Sequence, residues 1–260
     1  MILRRLGNKK KIAKEIQKHF PPHKIYIEPF FGAGGMFFNK PKAKYNIVND
    51  LDSDVFNLFN VVMNQKEELE KAFYIMPIHS DLLKHWKDNK ETEPIKKALR
   101  FLLISNNTTN GTGGGLRQTL NENPKYMMED YLEYCHKFIK DVRFFNSDCI
   151  KFLNSFSFHI NRPNAQKETL IYCDPPYLET NDNYSNSFTE EQSKELFNTL
   201  EETGCRFAMS EFDNPFILEQ ARQRNLNVIV IGERQNLKNR RTEILVTNYE
   251  NTQQSLFNGG

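Results

Sequence analysis

The apolar run Leu170-Ile171-Tyr172-Cys173 stops at Asp174-Pro175-Pro176-Tyr177. A strand cannot continue through two prolines, because two backbone donors are missing and φ is fixed at both positions. The chain is therefore held in a rigid, extended loop at the carboxyl end of a strand, where open α/β sheets place their ligands. That loop offers the Asp174 carboxylate, the Pro175 and Pro176 carbonyls, and the flat ring of Tyr177. Together they suit an amino group on a planar heterocycle: carboxylate and carbonyl accept its two hydrogens, and the ring stacks on the base. A plainer reading is a rigid strand exit with a buried tyrosine.

A second segment narrows the choice. Residues 25–36 read Ile-Tyr-Ile-Glu-Pro-Phe-Phe-Gly-Ala-Gly-Gly-Met, a short apolar strand ending in Glu28, then a turn with Gly32, Gly34 and Gly35. Glycines after a strand allow positive φ and a close backbone approach to a ligand. Their spacing is not Gly-x-Gly-x-x-Gly, and no Gly-x-x-x-x-Gly-Lys-[Ser/Thr] phosphate loop is present. A second strand, 45–49, ends in Asp50. An acid there can bind the ribose or an amino group of a nucleoside cofactor, or it can cap the helix expected over 53–64.

Strand and helix patterns alternate along the rest of the chain. Helices are expected at 9–19, 53–64, 66–74, 95–105, 127–140, 149–156, 189–203 and 214–224. Strands are expected at 25–29, 45–49, 142–146, 169–173, 205–210, 227–232 and 243–249. Residues 77–94, rich in Asn, Pro and His, read as a connection, and the glycine-rich stretch 106–115 as a loop. The fold class is α/β: a doubly wound, mainly parallel sheet with an antiparallel edge hairpin and a mostly helical inserted subdomain.

Composition sets the outer bounds. The net charge is only +2, so affinity for nucleic acid must come from local patches. Two basic clusters qualify: Arg4, Arg5 and Lys9–Lys11, and the run containing Lys238, Arg240 and Arg241. Either also reads as an ordinary solvated face. The four cysteines are widely spaced with no Cys-x-x-Cys, which suggests neither zinc nor a disulfide framework and fits a reducing cytoplasm. No apolar run approaches the ~20 residues needed to span a bilayer.

Glu-Pro-Phe-Phe-Gly-Ala-Gly-Gly, then Asn-Asp-Leu, then Asp-Pro-Pro-Tyr, in that order, resembles the Dam-like (alpha-group) DNA adenine N6-methyltransferases. Arg5-Leu6-Gly7-Asn8-Lys9 is similar to that family's N-terminal signature, and Arg241 to Tyr249 to its last strand. The likeness covers roughly residues 3–60 and 143–250 and is weakest over 75–140. It implies S-adenosylmethionine as cofactor, contacted from Arg5, Lys9, Asp50 and Asp174, to which the strand–glycine turn adds Glu28, Phe30, Gly32 and Gly34 as candidate contacts. It also implies catalysis by Asp174, Pro175, Pro176 and Tyr177 on an adenine flipped out of double-stranded DNA. Arg5 departs from the family, which has an aromatic residue there; a guanidinium can still stack or pair with a carboxylate.

By the same resemblance, 1–60 and 141–250 form the catalytic domain, 61–140 the DNA-reading insert, and 251–260 a loose tail. Arg117, Gln118, Tyr184, Lys238 and Arg240 are the expected DNA contacts, with Tyr184 and Phe188 on a loop that closes on the flipped base. The Phe-Asn-Val-Pro-like run of GATC-reading members is missing, so no target site is assigned. The tail sequence Gln253-Gln254-Ser255-Leu256-Phe257 resembles the short peptide that docks bacterial proteins on the replication sliding clamp. A cognate restriction endonuclease is a further partner of such enzymes. Two rival readings are methylation of RNA adenine or protein glutamine, and a DNA-binding protein that has lost catalysis.

Overall fold

A computed structural model of the chain describes residues 2–3, 9–111, 113–117, 124–157, 164–178, 188–235 and 240–250. Among these, seven strands form one sheet: β1 (Ile25–Glu28), β2 (Tyr45–Asn49), β3 (Arg143–Phe145), β4 (Thr169–Cys173), β5 (Arg206–Phe212), β6 (Asn227–Gln235) and β7 (Arg240–Thr247). Their order is β3-β2-β1-β4-β5-β7-β6. The first five are parallel, and β7 runs antiparallel to both β5 and β6. The order reverses direction between β1 and β4, so the loops leaving these two strands flank the crevice where doubly wound sheets bind ligands.

Side-chain alternation divides the core into two layers. Tyr26, Leu170, Tyr172 and Ala208 pack on one face, and Ile27, Ile171, Cys173, Phe207 and Met209 on the other. Because both faces are covered, all five residues of β4 are buried. A central parallel strand therefore reads as an unbroken apolar run rather than an alternating one.

Ten α-helices surround the sheet among the described residues: α1 (Ala13–Gln17), α2 (Ser53–Asn64), α3 (Lys66–Ile75), α4 (Ser80–Asp88), α5 (Pro94–Asn107), α6 (Pro124–Ile139), α7 (Cys149–Asn154), α8 (Ala165–Glu168), α9 (Glu190–Glu202) and α10 (Pro215–Gln223). Several begin at side-chain caps that fill the orphan amides of a first turn. Asp52 caps α2, Asp148 caps α7, Asn214 caps α10 ahead of Pro215, and Thr189 with Gln192 forms a capping box on α9.

Three expectations are corrected. Residues 77–94 contain the helix α4 instead of an uninterrupted connection; it buries Leu83 and Trp86 and starts where His79 Nδ1 accepts the Asp81 amide. Residues 9–19 form a 3-10 turn, Lys9–Lys11, followed by the short α1 rather than one helix. The cap of α2 is Asp52, which leaves Asp50 for other work.

The helices of 61–140 share the apolar layer of residues 1–60. Phe138 of α6 packs on Phe37 and Phe38 at ring separations of 5.2 and 5.5 Å. Leu99 and Leu102 of α5 join the same cluster as Leu58 and Phe59 of α2. No helix among the described residues is long and apolar enough to cross a membrane.

Candidate active site

The β1 exit loop is shaped by backbone freedom and aromatic packing. Gly32 and Gly34 have φ of 54° and 70°, the left-handed region that side chains disfavour. The Phe31 amide donates to the Asn49 carbonyl (2.9 Å), and the Gly34 amide to the Phe31 carbonyl (2.8 Å). The Phe31 ring meets Phe59 and Phe144 edge-on, each at 5.0 Å. A Cβ on Gly34 would lie 2.5 Å from the Phe38 ring, whereas one on Gly32 would meet no heavy atom within 4 Å. Gly32 thus faces open space.

Asp50 ties β2 to this loop. Its carboxylate accepts the Gly32 amide at 2.6 Å and the Asp52 amide at 2.8 Å. Both bonds are charge-assisted and fix the turn. Asn49 adds a second lock, donating to the Pro29 and Ser147 carbonyls at 3.0 and 2.9 Å.

The β4 exit loop is held by side chains instead. Lys9 Nζ lies 2.6 Å from Asp174 Oδ1 and 3.5 Å from Glu243 Oε1. The ammonium also sits 4.6 Å from the centroid of the Tyr177 ring. Tyr177 donates its hydroxyl to Glu243 Oε1 at 2.5 Å, and its ring stands edge-on to Phe212 at 4.7 Å. Glu243 is fully buried, while the Asp174 side chain keeps 21% of its surface exposed. Asp174 is therefore the carboxylate of this network that a ligand can reach.

Two more acids lie behind the cleft. Glu28 is buried and accepts the Tyr26 hydroxyl at 2.7 Å; burial lifts its carboxyl to about 8, with Asp174 and Asp50 nearby adding to the rise. Glu211 is likewise pushed up to about 8 by burial, against the opposing pull of the Phe212 and Leu178 amides. Burial, with the Asp174 and Glu243 carboxylates beside it, also drives the Tyr177 phenol well above its usual value.

Lys9, Asp174, Pro175, Pro176 and Tyr177 fall in one cluster. Gly32, Phe30 and Asp50 belong to the adjoining β1 side, where Gly34 is buried against Phe31 and Phe38. Glu28 sits at the strand end with its side chain turned to Tyr26 and shielded from solvent. The Tyr177 ring is buried rather than displayed, in line with the plainer reading of that residue. Phe188 packs edge-on against Phe30 at 6.1 Å. Arg117 is exposed at the end of the glycine-rich stretch, its amide bonded to the Asn107 carbonyl (2.7 Å). Arg5, Gln118, Tyr184, Lys238 and the tail from 251 lie outside the described residues, and Arg240 is described only as the β7 partner of Gln235.

Glu243 and Glu211 escape sequence reasoning. Each reads as one polar residue in a strand pattern, and nothing local signals that Glu243 pairs with a tyrosine 66 residues away.

The chain resembles known proteins over most of its length. It is 26% identical over 247 residues to a DNA adenine methylase of Vibrio cholerae, covering 86% of this chain and 85% of the relative. The same figures hold for a DNA adenine methylase of Escherichia coli K12. A DNA adenine methylase of Haemophilus influenzae is 31% identical over 185 residues, covering 66% of this chain and 61% of the relative. The pattern of the D12 class N6 adenine-specific DNA methyltransferases matches residues 6–237, and with nearly the whole described sheet inside that match, this chain belongs to that family.

Proposed function

We propose that Asp174 and the Pro175 carbonyl together accept the two N6 hydrogens of an adenine flipped out of duplex DNA. The observation that carries this reading is the placement of Asp174: a reachable carboxylate at the end of β4, across the switch point from the glycine loop. Accepting both hydrogens localises the amine's lone pair, which conjugation with the ring otherwise withdraws. Asp174 then takes the departing proton, directly or through water. Most of the acceleration comes from orientation, since two rigid prolines fix the acceptors before the base arrives.

S-adenosylmethionine, the methyl donor of such enzymes, supplies an electrophilic methyl group when bound. The β1 side fits it: open space at Gly32 admits a ligand against the backbone, and the Asp50 carboxylate is fixed at the edge of that space by the Gly32 amide. We assign Asp50, Gly32 and Phe30 to hold it, with Lys9 and Arg5 assigned from the family resemblance.

Flipping a base costs a few kcal/mol; Tyr177, its ring buried beneath the Lys9 ammonium, anchors the loop that receives the base. Arg117 is the described residue of the 61–140 segment best placed for a groove or phosphate contact. Sequence alone supports three finer assignments: a cytoplasmic location, sliding-clamp docking through residues 253–257, and pairing with a restriction endonuclease.

Asp174→Ala is expected to lower methyl transfer to unmethylated duplex DNA by at least about a hundredfold in a chain that still folds. Labelled-methyl incorporation, followed by sequencing of modified bases, reads both rate and target. Undiminished transfer by this variant would overturn the assignment.

A further inference from the structure

We infer that Glu243 is a positioning residue for methyl transfer: it competes with Asp174 for the Lys9 ammonium and so releases an Asp174 oxygen to the incoming amine. This rests on the reading of Asp174 as the amine's acceptor.

Glu243 lies on β7 opposite Phe212 of β5, and the two side chains meet Tyr177 from the same face. A neutral residue of similar size would fill this interior at lower cost than a carboxylate, because desolvation penalises the charge. The carboxylate is nevertheless fully buried there, and its Oε1 serves two partners: the Tyr177 hydroxyl at 2.5 Å and Lys9 Nζ at 3.5 Å. Lys9 is itself 3% exposed and 2.6 Å from Asp174 Oδ1. One ammonium is therefore shared unequally between two carboxylates.

The unequal sharing has a chemical consequence. A carboxylate oxygen engaged by an ammonium at 2.6 Å is a poor acceptor for a neutral amine. A short swing of Lys9 toward Glu243 weakens that engagement without leaving the ammonium unpaired. The Tyr177 ring carries it throughout, since a cation is also held over an aromatic face.

Of the other groups facing Asp174, Glu211 also feels the Lys9 charge. Glu28 and Glu211, both lifted to about 8 by burial, are mostly neutral near pH 7. The Tyr172 hydroxyl is bonded to Ser210 Oγ at 2.9 Å, and Asp50 holds the Gly32 and Asp52 amides.

Single-turnover methyl transfer to unmethylated duplex DNA, measured across pH, tests this on the full chain. Glu243→Gln keeps the side chain's size and an acceptor for Tyr177 but removes the charge. It is expected to slow transfer by about tenfold while S-adenosylmethionine affinity, by calorimetry, stays within about twofold. With Lys9 left wholly to Asp174, the acid limb of the pH–rate profile moves to lower pH. Tyr177→Phe removes the hydroxyl alone and keeps the Lys9–Glu243 pairing, so it is expected to retain at least about a third of the rate. A wild-type rate and profile in Glu243→Gln overturns the inference, as does a Tyr177→Phe loss as large as tenfold, which would make the phenol anchor the active part. If Glu243→Gln fails to fold, the Tyr177→Phe rate decides alone by the same criterion. Full activity of Asp174→Ala would instead remove the reading beneath it.

Discussion

The loops leaving β1 and β4 lie side by side at the switch point, yet they are held by opposite means. From Pro29 to Met36 the β1 loop is fixed by glycine conformations, backbone hydrogen bonds and the Phe31 ring wedged among Phe37, Phe38, Phe59 and Phe144. The β4 loop is fixed by charge: Lys9 on Asp174, Tyr177 on Glu243, and the Leu178 amide on Glu211. A loop held mainly by packing answers first to volume. A loop held by buried carboxylates answers to protonation. That division suits a site where one wall must cradle a large ligand and the other must handle a proton.

The largest effect should come from filling the packed loop. Gly34→Ala forces a Cβ to 2.5 Å from Phe38 and 2.9 Å from Phe31 at a φ of 70°. Overpacking and left-handed strain together predict a loss of about 2–4 kcal/mol in unfolding free energy, readable by urea titration. Gly32→Ala, with φ of 54° and open space around its Cβ, should lose only about 1 kcal/mol. Equal losses would show that packing does not distinguish the two positions and would break the comparison at its β1 side.

Asp50 is a charged tie of the β1 loop, so removing it sharpens the contrast. Asp50→Ala frees the Gly32 and Asp52 amides and removes the acid assigned to the cofactor. We expect S-adenosylmethionine affinity to fall about tenfold or more, equivalent to ~1.4 kcal/mol, by titration calorimetry. Unchanged affinity would make Asp50 a purely structural residue of the turn.

Much of this contrast was legible in the chain, and the illegible part has a common cause. Apolar runs that stop at Glu-Pro and Asp-Pro-Pro placed β1 and β4, because buried parallel strands need no polar alternation. Helices near 53 and 189 were legible from their apolar pattern, and the structure caps them with Asp52 and the Thr189–Gln192 pair. Helix α4 was missed because it is short, buries only Leu83 and Trp86, and is capped by a histidine, outside the usual Ser, Thr, Asp and Asn set. The buried carboxylates were missed for a deeper reason. Glu211 and Glu243 become neighbours of Asp174 only when β5 and β7 pair antiparallel, and a single sequence does not encode which distant segments meet. Tyr177 illustrates the same limit: its motif fixed its place in the chain, while its buried orientation depends on Glu243 and Phe212.

The smallest effect tests the β4 side. Burial lifts the Glu211 carboxyl in the folded protein to about 8 from its ordinary 4.5, so between those limits the folded protein binds more protons than the unfolded chain. Stability from this group is complete at acid pH and is lost as pH rises toward and through the folded value. Glu211→Gln mimics the protonated acid at every pH. It should match the wild type below about pH 4 and exceed it near about pH 8.5, by roughly 1 kcal/mol or more, a gain of about 2–4 °C in thermal midpoint per kcal/mol for a chain of this size. If the two midpoints stay parallel across pH, buried charge is not what tunes the β4 loop.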